Sequence, residues 1–206
     1  MSKILRTLVV LLIAFTFSNR GISQDKILTM SGKVINCQII DGTQIVIKYN
    51  FTTKRNKVKE RMIHRSEVFS IIIEGEETVL FVSDESSETF DVAETRVFIT
   101  GEGDGDKFDT KRLEVLGYVL GSASGYVSKA NIIVLLTTPT LYTIYQYIPN
   151  IKVKEETMSD LKFKNNEIYL QGYDVNARNK RVRKALQSSV LGSILGSIIF
   201  KLAPYS

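Results

Sequence analysis

The chain has one cysteine and one histidine in 206 residues. An exported chain with a lone cysteine has no internal disulfide framework. Cys37 falls in an alternating apolar run, so it reads as a buried, inert thiol, with pairing between two molecules as the alternative. The lone histidine, His64, sits in a basic run without a partner signature, whereas zinc sites draw on several His, Cys or carboxylate groups. A serine–histidine triad would need His64, and no Gly-x-Ser-x-Gly elbow is present. Phosphate-loop and dinucleotide fingerprints are missing as well. The expectation is a non-catalytic protein with no cofactor and no metal. An enzyme would have to work with carboxylates alone, for example Asp104 and Asp106.

A strong excess of charge is also lacking. Of the 27 basic residues, Lys3, Arg6 and Arg20 lie in the first 23, which leaves 24 against 22 acids, a net of +2. That balance gives no nucleic-acid footprint, and the pI of about 9.2 for the whole chain is not one either.

Residues 1–23 read as a signal peptide. Lys3 and Arg6 precede an apolar core, Thr7 to Phe17, that is too short for a span of about 20 residues. Gly21 and Ser23 place small residues before a cut at Ser23–Gln24. No cysteine follows the core, which argues against a lipoprotein anchor, and an uncleaved anchor is the alternative.

Residues 24–85 form a β module. In Lys33 to Ile40, Ile35, Cys37 and Ile39 share one face of a strand, because side chains alternate with period two. Asp41-Gly42 is a hairpin signal, and Thr43 to Asn50 then aligns Ile45, Ile47 and Tyr49. After a basic stretch, Arg61 to Val68 and Phe69 to Ile73 resume the pattern, and Glu74-Gly75 turns the chain into Thr78 to Val82. Five or six short strands predict a small antiparallel barrel or curled sheet. The order of turns, strands and basic loop resembles an Sm-like or SH3-like barrel, a likeness of architecture that carries no functional residue. The basic run Lys54, Arg55, Lys57, Lys59, Arg61 and Arg65 has two readings: contact with an anionic surface, or a solvated hairpin loop.

Residues 86–114 read as an acidic linker or junction, entered through the polar, acidic Ser83 to Glu88. Arg96 to Thr100 reads as strand-like or helical. In Gly101 to Asp109, the acids Glu102, Asp104, Asp106 and Asp109 fail the spacing of a calcium loop. They read instead as a turn capping the next helix, where acids meet the positive end of the dipole.

Two apolar stretches complete the chain. Residues 115–151 carry Gly117, Gly121 and Gly125 at every fourth position, and Ala130 to Ile151 is an uncharged run with Pro139 and three threonines at its middle. In 152–206, a helix over Asn165 to Lys184 puts Tyr169, Tyr173 and Ala177 on one face, and a basic cluster, Arg178 to Lys184, precedes the uncharged Ala185 to Phe200. There Ser188, Gly192 and Gly196 make a second small-residue stripe. Bare faces let helix backbones approach closely, which is how helices associate in lipid. The two stripes are able to meet each other or a second copy, so a homo-oligomer stays open. A membrane-associated segment and an ordinary buried helical hairpin are the competing readings. The overall class is α+β.

Gly103 and Asp106, then Gly117 to Pro139, then Tyr169, Gly172, Tyr173, Ala177 and Lys180 trace a loose pattern. It resembles that of small exported proteins of Bacteroidota-type bacteria, which join a β module to a glycine-bearing apolar part. The chain departs from the pattern at Lys107, where the group tends to have alanine after the aspartate. The resemblance implies an envelope location and no activity.

Two functions are therefore expected to compete. One is a membrane-anchored envelope protein whose partners are membrane lipid or another envelope protein. The other is a soluble periplasmic module enclosing a small lipid-like ligand. The charge rule of inner-membrane proteins suggests an exported β module, a first span near 130–149, an inner basic segment and a second span near 186–202. A helical hairpin of 115–128 with 131–148, lying against the membrane from the periplasm, is the alternative.

Overall fold

The computed structural model describes residues 25–42, 45–53, 55–82, 90–128 and 131–202. The expected leader and its cut, Lys54, the stretch Ser83 to Glu88, and Lys129 lie outside the described residues. The chain divides into two compact units, one containing 34–80 and the preceding strand, the other containing 30–33 and everything described from 81 onward.

The first unit is an antiparallel sheet of β1 (Asp25–Thr29), β2 (Val34–Asp41), β3 (Val46–Thr52), β4 (Val58–His64), β5 (Val68–Ile73) and β6 (Glu76–Val79). Their order is β4-β3-β2-β1-β5-β6. Ile27, Cys37, Ile47, Tyr49, Val68 and Ile71 form its core. The expected alternation holds on β3 for Ile47 and Tyr49, which are buried, and on β2 for Cys37, but Ile45, expected on the same face, precedes the strand and is exposed. The tight turn between β5 and β6 holds Glu74 at φ 54° and Gly75 at φ 94°, the positive pair that a two-residue hairpin requires.

The barrel expectation is corrected: the sheet is open. Closure would need β4 to pair with β6. The latter is only four residues long, and β4 is solvent-exposed at all but one position and carries Lys59, Glu60 and Arg61. Short edges and charged edge strands are how open sheets resist further pairing.

The second unit is helical: α1 (Val92–Gly105), α2 (Lys111–Val127), α3 (Ile132–Tyr147) and α4 (Glu167–Leu202). A reciprocal capping box starts α1: the Asp91 carboxylate accepts from the Glu94 N–H at 2.7 Å, and the Glu94 carboxylate accepts from the Asp91 N–H at 3.1 Å. The Gly-rich stretch expected to be a turn is, up to Gly105, the last part of this helix. Glycine costs about 1 kcal/mol per helical position. Here a Cβ at Gly101 or Gly105 would strike the carbonyls of Tyr169 or Tyr173, so the bare face is what brings α1 onto α4. Only Asp109 acts as the expected cap, accepting from the Lys111 N–H at 3.0 Å.

The helix expected over Asn165 to Lys184 and the apolar run after it form one continuous helix of 36 residues, about 54 Å at 1.5 Å per residue. Tyr169, Tyr173 and Ala177 form its buried core against Val97, Phe108, Ile151, Val153, Met158 and Phe163.

Burial, and then the Asp25 carboxylate nearby, push the Cys37 thiol up to about 11. Thiolate is the reacting form, so at pH 8 the folded protein should modify with Ellman's reagent about 100-fold more slowly than the denatured chain. Equal rates would show that Cys37 is not held in the sheet as described.

Candidate functional site

The described members of the basic run are strung along one hairpin of the first unit. Arg55 and Lys57 belong to the turn after β3, Lys59 and Arg61 lie on β4, and Arg65 begins a 3-10 turn beyond the strand's far end. Lys59 and Arg61 stand opposite Phe51 and Tyr49, and the Arg61 guanidinium lies 5.1 Å over the Phe51 ring. Their stems cover the margin of the core, as long basic side chains commonly do. His64 caps the 3-10 turn through Ser66, with Nδ1 at 2.7 Å from Oγ.

In the helical unit, Asp104 is 2 % exposed. Its carboxylate accepts from the Tyr169 hydroxyl at 2.7 Å, the Ser159 N–H at 2.7 Å, the Ser159 hydroxyl and the Lys107 ammonium at 2.7 Å. Burial raises the carboxyl, but the bonds from Lys107, Ser159 and Tyr169 outweigh it and hold Asp104 below the usual range. Burial, and then donation to Asp104, raise the Tyr169 phenol. Ser159 and Lys107 stand 3.1 Å apart, the pairing of a serine–lysine dyad. Both groups are also bonded to Asp104: Lys107 donates to its carboxylate, as does the Ser159 hydroxyl. The cluster ties α1, the 3-10 segment near 155–163 and the start of α4 together. Asp106, the other carboxylate considered for chemistry, is exposed and is not part of it. Among the described residues no three His, Cys, Asp or Glu side chains form a metal-binding group.

The two small-residue stripes meet each other. A Cβ at Gly117 would fall on the Ser188 side chain, at Gly121 on the Ser189 carbonyl and at Gly125 on the Ser193 carbonyl. In return, one at Gly192 would strike the Tyr118 carbonyl and one at Gly196 the Ser122 carbonyl. The register rises on both helices together, so α2 and the second half of α4 run parallel with their backbones in contact. Such approach permits Cα–H···O contacts that larger residues would prevent. Ser189 donates to Ala185 O at 2.7 Å and Ser197 to Ser193 O at 2.9 Å, while the buried Ser193 hydroxyl has no partner.

α3 packs antiparallel to α2: the Tyr142 hydroxyl donates to Leu113 O at 2.6 Å, and Ser124 faces Val134 at the other end. Thr137, Thr140 and Thr143 return their hydroxyls to carbonyls one turn back, around Pro139. The last carbonyls of α3 are capped by arginines of α4. Arg181, buried, donates to Gln146 O and to Pro149 O at 2.8 Å, and Arg178 donates to Tyr147 O. Cations at this end complement the helix dipole.

The helical hairpin expected from the two stretches is present, and it puts the basic segment after α3 at the same end of the bundle as the start of α2.

The bundle buries glycine and serine and turns its large apolar side chains outward. On α2 only Gly117, Gly121 and Gly125 are buried, while Val115 and Val119 are 62 % and 59 % exposed. Ile132 and Ile133 of α3 are 66 % and 73 % exposed, and Leu191, Ile194, Leu195, Ile198 and Ile199 of α4 are all exposed. Among the described helices, α4 is long and apolar enough to cross a membrane by length and composition; α2 and α3, at 17 and 16 residues, are shorter than about 20.

No protein-family model, curated protein or solved structure matches the chain.

Removing the Tyr169 hydroxyl leaves a buried carboxylate short of one donor, so Tyr169→Phe should lower stability by about 2 kcal/mol in denaturant unfolding. Since the Asp104 carboxyl is depressed on folding, its contribution is present above the unfolded carboxylate range and lost as pH falls through the folded value. Acid should thus destabilise wild type more than Asp104→Asn, and parallel pH profiles of the two would refute the role given to Asp104. In the seam, Gly121→Leu should separate α2 from α4 and lower the melting temperature, whereas Ser193→Ala, which deletes an unpaired hydroxyl, should leave it unchanged or higher. The reverse order would place the helix contact elsewhere.

Proposed function

We propose that this is a non-catalytic, membrane-embedded protein of the cell envelope, exported by its N-terminal leader, with a β unit available for structural or interaction roles. One observation carries the reading: the three-helix bundle of α2, α3 and the second half of α4 is polar and small inside and apolar outside. Water-soluble bundles place Leu, Ile and Val in the core, and contiguous exposed apolar surfaces of this extent mark interaction or membrane sites. The outward faces also favour lipid around the bundle over a lipid-like ligand enclosed in it.

Hydrophobic transfer dominates the energetics. Burying one such side chain contributes about 1.5–3 kcal/mol, against about 1 kcal/mol for a basic residue near an anionic surface. The eighteen exposed Val, Leu and Ile residues of α2, α3 and the second half of α4 therefore outweigh the headgroup contacts. Near α3 the bundle is only about 24 Å long, from 16 residues at 1.5 Å each, which is shorter than a hydrocarbon core of about 30 Å. Local thinning of the bilayer accommodates such a difference at modest cost.

Sidedness follows from the hairpin. The start of α2 and the basic segment share one side, and the end of α2 and the start of α3 share the other with the end of α4. Export by the leader puts the basic end outside the cytoplasm, whereas the bias of inner-membrane proteins retains basic residues inside.

Membranes from expressing cells, washed with carbonate, should retain the full chain in the pellet, and detergent should release it. Recovery in the carbonate wash would sink the membrane reading. On intact spheroplasts, an impermeant amine reagent should label lysines at 152 and 154, and protection until lysis would overturn the exported orientation.

A further inference from the structure

We propose that the charged end of the helical bundle binds the headgroups of anionic phospholipids, with Lys111, Arg112 and Arg183 as the contacts. The inference rests on the membrane reading above and adds a lipid class and a place.

The packing puts these residues at one level. Gly117 meets Ser188 in a parallel register, so one turn earlier Leu113 stands opposite Lys184, and Arg112 opposite Arg183. The ion pair of Lys184 with Glu114, at 3.6 Å, marks the same level. The antiparallel α3 brings its last turn there too, since Tyr142 reaches Leu113 O and Arg181 reaches Gln146 O. This is where the outward apolar faces stop. Tyr145 and Tyr147, 64 % and 61 % exposed, stand at the boundary, as aromatic rings with polar tips do at membrane interfaces.

The acids at this level are largely engaged. Glu114 faces Lys184, and Asp174 is paired with Arg178 at 2.9 Å. Asp109 accepts from the Lys111 N–H and stands near Lys111, Lys154 and Arg112, so it offsets one of those charges. Lys111, Arg112 and Arg183 are exposed, and with Lys154 they leave a local excess of about three positive charges after Asp109 is counted. Positive side chains just beyond a ring of exposed apolar ones match a lipid whose tails end in a negative headgroup. Arginine's planar fork suits a phosphate, donating to two of its oxygens at once. The basic β4 strand exposes Val58 and Met62 beside its charges, against the row of exposed apolar side chains on each bundle helix.

The test uses the full chain in neutral detergent and native mass spectrometry after adding equal amounts of phosphatidylglycerol and phosphatidylcholine. Wild type should retain phosphatidylglycerol in preference by tenfold or more. The triple variant Lys111→Gln, Arg112→Gln, Arg183→Gln should lose most of that preference, and Lys57→Gln with Lys59→Gln in the first unit should keep it. Should the triple variant fail to fold by circular dichroism, Arg112→Gln alone should still reduce the preference severalfold. Equal retention of both lipids by wild type, or loss of preference only in the β4 variant, would overturn the proposal. A chain that stays in carbonate-washed membranes without any headgroup preference defeats this inference alone, while release by carbonate defeats it together with the membrane reading.

Discussion

The close approach of α2 to α4 is the contact on which the helical unit depends. Five glycines from two helices stand against the partner's carbonyls or serine side chain, and a side chain at any of them would push the backbones apart. The attraction across such a seam comes from many short-range contacts and weak hydrogen bonds. It does not require the hydrophobic effect, and that explains how the large apolar residues of the same helices are left facing outward.

The seam alone does not set where α3 sits or how α1 joins. Two polar devices do so at the opposite end of the unit. Arg178 and Arg181 bind the last carbonyls of α3, satisfying groups that a helix end otherwise leaves without partners. Asp104 gathers donors from α1, the 3-10 segment and α4 around one buried carboxylate. A buried charge is costly unless its hydrogen bonds are complete. Asp104 has four donors, so it constrains the three segments that supply them. The helical unit is thus polar and tightly bonded at one end and sealed by small residues at the other.

Ser159, Lys107 and Asp104 stand close together, and their hydrogen bonds are the ones that hold the segments: the Ser159 hydroxyl and the Lys107 side chain both donate to the Asp104 carboxylate.

Much was legible in the sequence because it is local. Period-two alternation marked the strands of the sheet, paired turn residues marked the β5–β6 hairpin, and four-residue spacing placed each glycine stripe on one helix face. The capping box Asp91-x-x-Glu94 also lay in plain view, although the reading of α1 passed over it. What the sequence alone left open concerns partners. A glycine stripe states that something comes close and not what, so only the tertiary structure paired Gly117, Gly121 and Gly125 with the stripe at Ser188, Gly192 and Gly196. Likewise, glycines 101 and 105 weaken an isolated helix, and only packing on Tyr169 and Tyr173 made that stretch helical. Whether the sheet closed depended on pairing between its two edge strands, β4 and β6, which no local pattern of either strand records. The antiparallel return of α3 came from contacts between residues about 30 apart, Tyr142 with Leu113 and Arg181 with Gln146, and that return decided which end of the bundle the basic segment shares.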